Sequence, residues 1–153
     1  MVHTFLSVKH RSLTGFTLVE VILVLALFGA LLGIGLPIGV DSYKSYLLTA
    51  ETRTLVSFLR RAQNFSLANT REASHGLFID SSRFVLFQGS SYAGRNATYD
   101  EVYLRSSVVT VSSTPEIVFT PLSGIPMSST TITLSNGLSS QAITVNAGGA
   151  FLW

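Results

Sequence analysis

Cysteine is absent from the 153 residues, so the chain forms no disulfide and offers no thiolate to a metal. Histidine is scarce: His3 and His10 stand near the start, and His75 is the only one beyond residue 10. A Ser-His-Asp triad would have to use His75, and no nucleophile-elbow spacing accompanies it. His75 is read instead as ending a helix-to-strand connection. No glycine-rich phosphate loop precedes a helix, so nucleotide hydrolysis would have to come from another protein. Charge is scarce as well. Ten basic and eight acidic residues make up 12% of the chain and leave a net charge of +2, too little for a strongly basic nucleic-acid binder. With no cofactor indicated, the chain is read as a non-enzyme.

What the sequence has in abundance is apolar surface, 47% of its residues. Residues 16–40 contain one charge, Glu20. About 20 apolar residues suffice to cross a bilayer as a helix. Lys9 and Arg11 precede the run, and basic residues on that side hold that end in the cytoplasm. A carboxylate inside a spanning helix costs roughly 2.5 to 3.5 kcal/mol, so Glu20 needs a compensating partner. A cut after Gly15 would free an amine on Phe16, about one helical turn from the Glu20 carboxylate. An ordinary secretory signal has a shorter apolar core and an A-x-A-like cut behind it. A plain membrane anchor explains the length of the run, but not Gly15 and Glu20 together.

These residues, a basic leader followed by Gly15, Phe16-Thr17-Leu18-Val19-Glu20 and the apolar run, resemble the class III signal of type IV pilins and the pseudopilins of type II secretion. The resemblance implies that a prepilin peptidase cuts after Gly15 and methylates the new amine on Phe16. It also implies that Glu20 pairs with the terminal amine of an adjacent subunit during assembly. Partners would be the peptidase, other pilin or pseudopilin subunits, the inner-membrane assembly platform and the membrane itself, crossed once with the C-terminus outside. The protein would then pass from the bacterial inner membrane into a pilus or pseudopilus. Loss of Lys9 and Arg11 with the leader would leave eight basic residues facing eight acidic ones. Many pilins close a C-terminal loop with a disulfide, which this chain cannot do.

Within the run, Gly29 and Gly33, then Gly35 and Gly39, give small-xxx-small spacings that let helix backbones approach closely. Pro37 lacks the N–H that would bond the Gly33 carbonyl, so a kink is expected there. Many pilins carry a proline at this distance from the cut; a tolerated membrane kink is the plainer reading. From Asp41 the apolar period is 3.6 residues. Leu48, Leu55, Phe58, Leu59, Ala62 and Phe65 fall in one arc of roughly 120°, with Arg53, Ser57, Arg60, Arg61 and Asn64 opposite. Glu51 falls inside the apolar arc, and the helical pattern gives no reason for it.

After about Asn69 the period becomes two. Gly76–Ile79 and Arg83–Phe87 flank Asp80-Ser81-Ser82, which reads as a hairpin turn. Residues 89–100 read as a loop. Shorter strands are expected at Glu101–Leu104, Val108–Val111, Glu116–Phe119, Thr130–Leu134, Ala142–Val145 and Ala150–Trp153. The expected class is α+β: a long N-terminal helix, membrane-spanning in its first half and amphipathic in its second, packed on a small antiparallel β-sheet domain. The divisions are a leader over 1–15, a membrane or filament-core helix over 16–40, an amphipathic helix over 41–70 and a β-rich domain over 71–153. The hairpin after the helix, the segment Ile117–Gly124 and the closing strand-Gly-strand resemble the GspH/FimT-type minor pseudopilin domain.

The alternative is a DNA-binding minor pilin for DNA uptake, with Arg53, Arg60 and Arg61 meeting phosphates from one helix face. Against it stand the low charge and the apolar C-terminal stretch Gly148–Trp153. Asp100-Glu101 could offer oxygens to calcium, although adjacent acids at a loop-strand boundary are more often solvated. Asn96-Ala97-Thr98 has only the form of a glycosylation acceptor.

Overall fold

The computed structural model describes residues 15–112 and 116–153, with the side chains of residues 34–38 outside the description. The leader residues 1–14, with His3, Lys9, His10 and Arg11, lie outside it too. One long helix, α1 (Leu18–Leu67), comes first. The chain divides into two compact units directly after Ile38. The kink expected at Pro37 falls among the undescribed side chains; the helix assignment itself is unbroken across them. Among the described residues no helix is long and apolar enough to cross a membrane. In the first unit Val21, Ile22, Leu23, Val24, Leu25, Leu27, Phe28, Leu31 and Leu32 are all exposed.

In the second unit α1 ends where Asn69 turns left-handed (φ 48°, ψ 39°), a conformation that asparagine tolerates better than most residues. A short 3₁₀ turn over Thr70–Glu72 leads into the first of two four-stranded antiparallel sheets. That sheet holds β1 (His75–Ile79), β2 (Arg83–Gln88), β3 (Glu101–Leu104) and β5 (Glu116–Phe119), in the order β3-β2-β1-β5. The second holds β4 (Thr110–Ser112), β6 (Thr130–Ser135), β7 (Ser140–Val145) and β8 (Phe151–Leu152), in the order β4-β6-β7-β8. The expected α+β class with antiparallel strands is present. The one small sheet expected is corrected to two four-stranded sheets among the described residues.

The β1–β2 hairpin forms where expected, because Asp80 accepts the Ser81 N–H at 2.6 Å while its own N–H donates to the Arg83 carbonyl at 2.9 Å. Gly76 is required at its position in β1: a Cβ there would stand 2.6 Å from the Phe87 ring and 2.7 Å from the Ile117 carbonyl oxygen. The strand expected from Val108 begins only at Thr110, because Val109 N–H bends back to the Ser106 carbonyl.

The core is continuous across both sheets and the helix stripe. Leu48, Leu55, Leu59 and Ala62 of α1 pack with Leu77, Phe84, Ile117 and Phe119 of the first sheet and Ile132, Leu134, Ile143 and Val145 of the second. Alternation along β6 and β7 places these four inward, while Thr131 and Thr144 pair through their hydroxyls on the outer face at 3.0 Å. Gln63 of α1 ties in the loops of both sheets, its Nε2 donating to the Gly124 carbonyl at 3.0 Å and the Gly149 carbonyl at 2.8 Å.

Candidate functional site

At the N-terminal end, Gly15 has nothing within 4 Å of where a Cβ would stand, and its backbone is not left-handed. Neither packing nor conformation inside the described chain demands glycine there. Phe16 is 83% exposed. Thr17 caps the helix: its Oγ1 accepts the Glu20 N–H at 3.2 Å, and its carbonyl accepts the Val21 N–H at 3.2 Å. Thr17-Leu18-Val19-Glu20 is thus a T-x-x-E start signal, visible in the sequence but overlooked there. Glu20 also places a negative charge where the helix dipole favours one. Among the described residues its carboxylate has no ion-pair partner.

Glu51, without explanation in the helical pattern, is only 4% exposed and meets Arg105. Arg105 Nη2 lies 3.3 Å from Glu51 Oε2, and the Ser106 N–H donates to Glu51 Oε1. The guanidinium also donates to the carbonyls of Asp80 at 2.6 Å and Val109 at 2.9 Å and lies over the Phe84 ring. This ion pair fastens α1 to the segment that carries the chain from the first sheet to the second. A buried carboxylate on an apolar stripe requires such a partner, which was the available signal for it. Ser66 does comparable work nearby: its hydroxyl accepts the His75 N–H at 3.0 Å and donates to the Phe119 carbonyl at 3.1 Å.

Arg53, Arg60 and Arg61 share an exposed groove of about 450 Å³ with Ser57, Asn64 and the C-terminal Trp153. Arg61 is held by Glu101 at 2.8 Å, whereas Arg53 and Arg60 have no ion-pair partner among the described residues. The C-terminal stretch therefore brings an aromatic ring, 60% exposed, to the arginine face.

The loop over residues 89–100 is pinned rather than open. Tyr92 stacks on Phe78 with ring centroids 3.7 Å apart, and the Arg95 guanidinium lies 3.7 Å from the centroid of the Tyr92 ring while donating to Asp100 at 2.8 Å. Asn96 caps a short turn over Ala97–Tyr99 by accepting the Thr98 N–H at 3.1 Å. Asp100 and Glu101, the pair weighed for calcium, each face an arginine. No group of three or more potential metal-ligating side chains occurs among the described residues.

His75 is the first residue of β1 rather than part of the preceding connection, and it is 3% exposed. Burial, the largest influence, holds its pKa below the usual histidine value; the Ala73 backbone opposes this and the Arg71 charge adds to it. The Ala73 backbone approaches the ring, but neither ring nitrogen has a well-aligned hydrogen bond among the described residues. Among the described residues no serine hydroxyl bonds to its ring; Ser66 meets only its backbone.

A family model described as type II transport protein GspH matches residues 51–149. No curated protein and no solved structure matches the chain.

Proposed function

The chain belongs to the family of the type II transport protein GspH, and on that footing we propose that it is a pseudopilin, a structural and non-enzymatic subunit of a type II secretion pseudopilus. The observation that carries this reading is the first part of α1. Its described apolar side chains, from Phe16 to Leu32, are exposed all round. Such a helix gains stability only from lipid or from helices of other subunits. In this reading a prepilin peptidase, reading Gly15, cuts before Phe16 and methylates its amine, and the helix anchors the subunit in the inner membrane with its domain outside. Glu20, with no ion-pair partner among the described residues, then docks on the terminal amine of a neighbouring subunit on the assembly platform. The Gly29 and Gly33 positions, with nothing within 4 Å, leave room for close helix approach.

A second reading, nucleic-acid contact, is favoured by one observation: Trp153 lies beside Arg53, Arg60 and Arg61, and ring stacking beside arginines suits single-stranded nucleic acid. Salt-dependent retention of DNA, lost when those arginines are replaced, would place the subunit in DNA uptake instead.

The deciding experiment is mass spectrometry of the mature N-terminus from membranes and sheared filaments of a host with an active prepilin peptidase. A methylated peptide beginning at Phe16, mainly in membranes, supports the pseudopilin. The same peptide dominating sheared filaments makes the protein a major pilin. An uncut leader in the wild type, or normal shortening when Gly15 is replaced, overturns the assignment.

A further inference from the structure

The end of α1, strands β1 and β2 and the turn before β3 enclose a cavity of about 340 Å³ that the assembly role does not use. We propose that this cavity binds one ring of a neutral hexopyranose.

The polar groups on its wall differ in what they lack. His75 lines the cavity, is almost wholly buried and, with the Ala73 backbone near its ring, has no well-aligned hydrogen bond at either ring nitrogen among the described residues. A neutral imidazole carries one donor and one acceptor. Asp100 Oδ1 is buried without a partner, because Arg95 holds the other oxygen, and it can only accept. Arg71, on the rim, can only donate; it lies 4.0 Å over the Tyr99 ring and has no ion-pair partner among the described residues. Leaving buried groups such as the His75 ring and Asp100 Oδ1 without partners is costly. Native chains rarely carry several together without a bound partner or ordered water.

Hydrogen-bonding capacity narrows the occupant. The Asp100 and Glu101 carboxylates are already neutralised by Arg95 and Arg61. An acceptor-only anion would satisfy Arg71 but leave Asp100 Oδ1 without a donor, and a donor-only cation would do the reverse. A sugar hydroxyl donates and accepts at once, so adjacent hydroxyls on one ring answer all three side chains without a net charge. Phe65, Phe87 and Tyr99 supply apolar wall for the C–H face of such a ring. The volume is at the low end for small-molecule sites, about 300 to 1,000 Å³, which suits a single ring better than a chain of them.

The rim is also held in an uncommon backbone form. Asn69, Arg71 and Glu72 all have positive φ, at 48°, 57° and 52°. Left-handed non-glycine backbone is uncommon and concentrates at active sites, ligand clamps and switch regions.

The test uses the full chain in a zwitterionic detergent that has no sugar headgroup. Glucose, galactose, mannose and N-acetylglucosamine are titrated in turn, with acetate and methylammonium as charged controls, while the His75 ring resonances are followed. At least one sugar should saturate and move those resonances. Arg71→Ala, on the exposed rim, should weaken its binding roughly tenfold, as expected for loss of a hydrogen bond from a charged donor. His75→Gln should weaken it further, with the fold checked by circular dichroism. Failure of all four sugars to saturate marks a cavity that holds only water and overturns the proposal. So does saturation by acetate or methylammonium in their place, or sugar binding unchanged in the Arg71→Ala protein. Processing at Gly15 does not depend on this site, so either result leaves the assembly role to its own experiment.

Discussion

The two ends of α1 are built from similar residues and solve opposite problems. From Leu18 to Leu32 leucine, valine and phenylalanine point in every direction and stay exposed. From Leu48 to Ala62 the same residue types keep to one stripe and are buried against two sheets. The second stretch therefore stabilises its own domain, while the first leaves its described apolar side chains exposed. A large exposed apolar face is surface suited to an environment outside the chain. The polar residues follow the same division. Glu51 in the second stretch has its arginine inside the chain, whereas Glu20 in the first has none among the described residues.

The sharpest way to break this comparison is through the two glutamates. Glu51→Ala would leave Arg105 buried and uncompensated, a loss of about 3 to 5 kcal/mol. Chemical denaturation followed by circular dichroism should show a large drop in midpoint. Replacing Glu51 and Arg105 together with methionine should recover much of that loss, because no charge is then stranded. Glu20→Ala should leave the same midpoint in place. A shift of comparable size from Glu20→Ala would mean that both glutamates serve the domain, and the division between the stretches would fall.

Leucines give the next contrast. Leu55→Ala, at a fully buried position, should cost about 2 to 5 kcal/mol. Leu25→Ala, at an exposed one, should change domain stability by no more than about 0.5 kcal/mol. Its effect should appear instead in the yield of assembled filaments. Equal destabilisation by the two would show that the first stretch is packed within its own chain.

Much of this division is legible in the sequence, and what is not has a physical reason. Period-two alternation located the β1–β2 hairpin, and the 3.6-residue arc located Leu48, Leu55, Leu59 and Ala62, because local geometry alone sets those patterns. The Glu51 pair was half visible. A carboxylate on an apolar stripe demands a cation, but Arg105 lies 54 positions along the chain and only the fold says which arginine it is. The second sheet was hidden for a similar reason: strands of two to six residues show alternation but not which neighbour they pair with. His75 was read as a connector because a lone histidine carries no periodicity, and its burial comes from Ser66, Phe65 and the pairing of β1 with β5. The Thr17 cap was fully legible, since Thr17 stands three residues before Glu20 where the apolar run begins.

That cap sharpens what Glu20 itself does, with the smallest energetic effect of the set. Thr17→Ala removes the acceptor of the Glu20 N–H and should loosen the first helical turn by about 1 kcal/mol. Faster hydrogen exchange at Glu20 and Val21, with the domain's midpoint unchanged, would record it. Glu20→Ala leaves that bond intact, since the donor is backbone and the acceptor belongs to Thr17. The two variants therefore separate helix onset from charge. If Glu20→Ala abolishes assembly while Thr17→Ala only reduces it, the carboxylate acts on another subunit. If Thr17→Ala alone is as damaging as Glu20→Ala, an ordered first turn is what assembly requires, and the unpaired charge of the exposed stretch loses its claim to a partner.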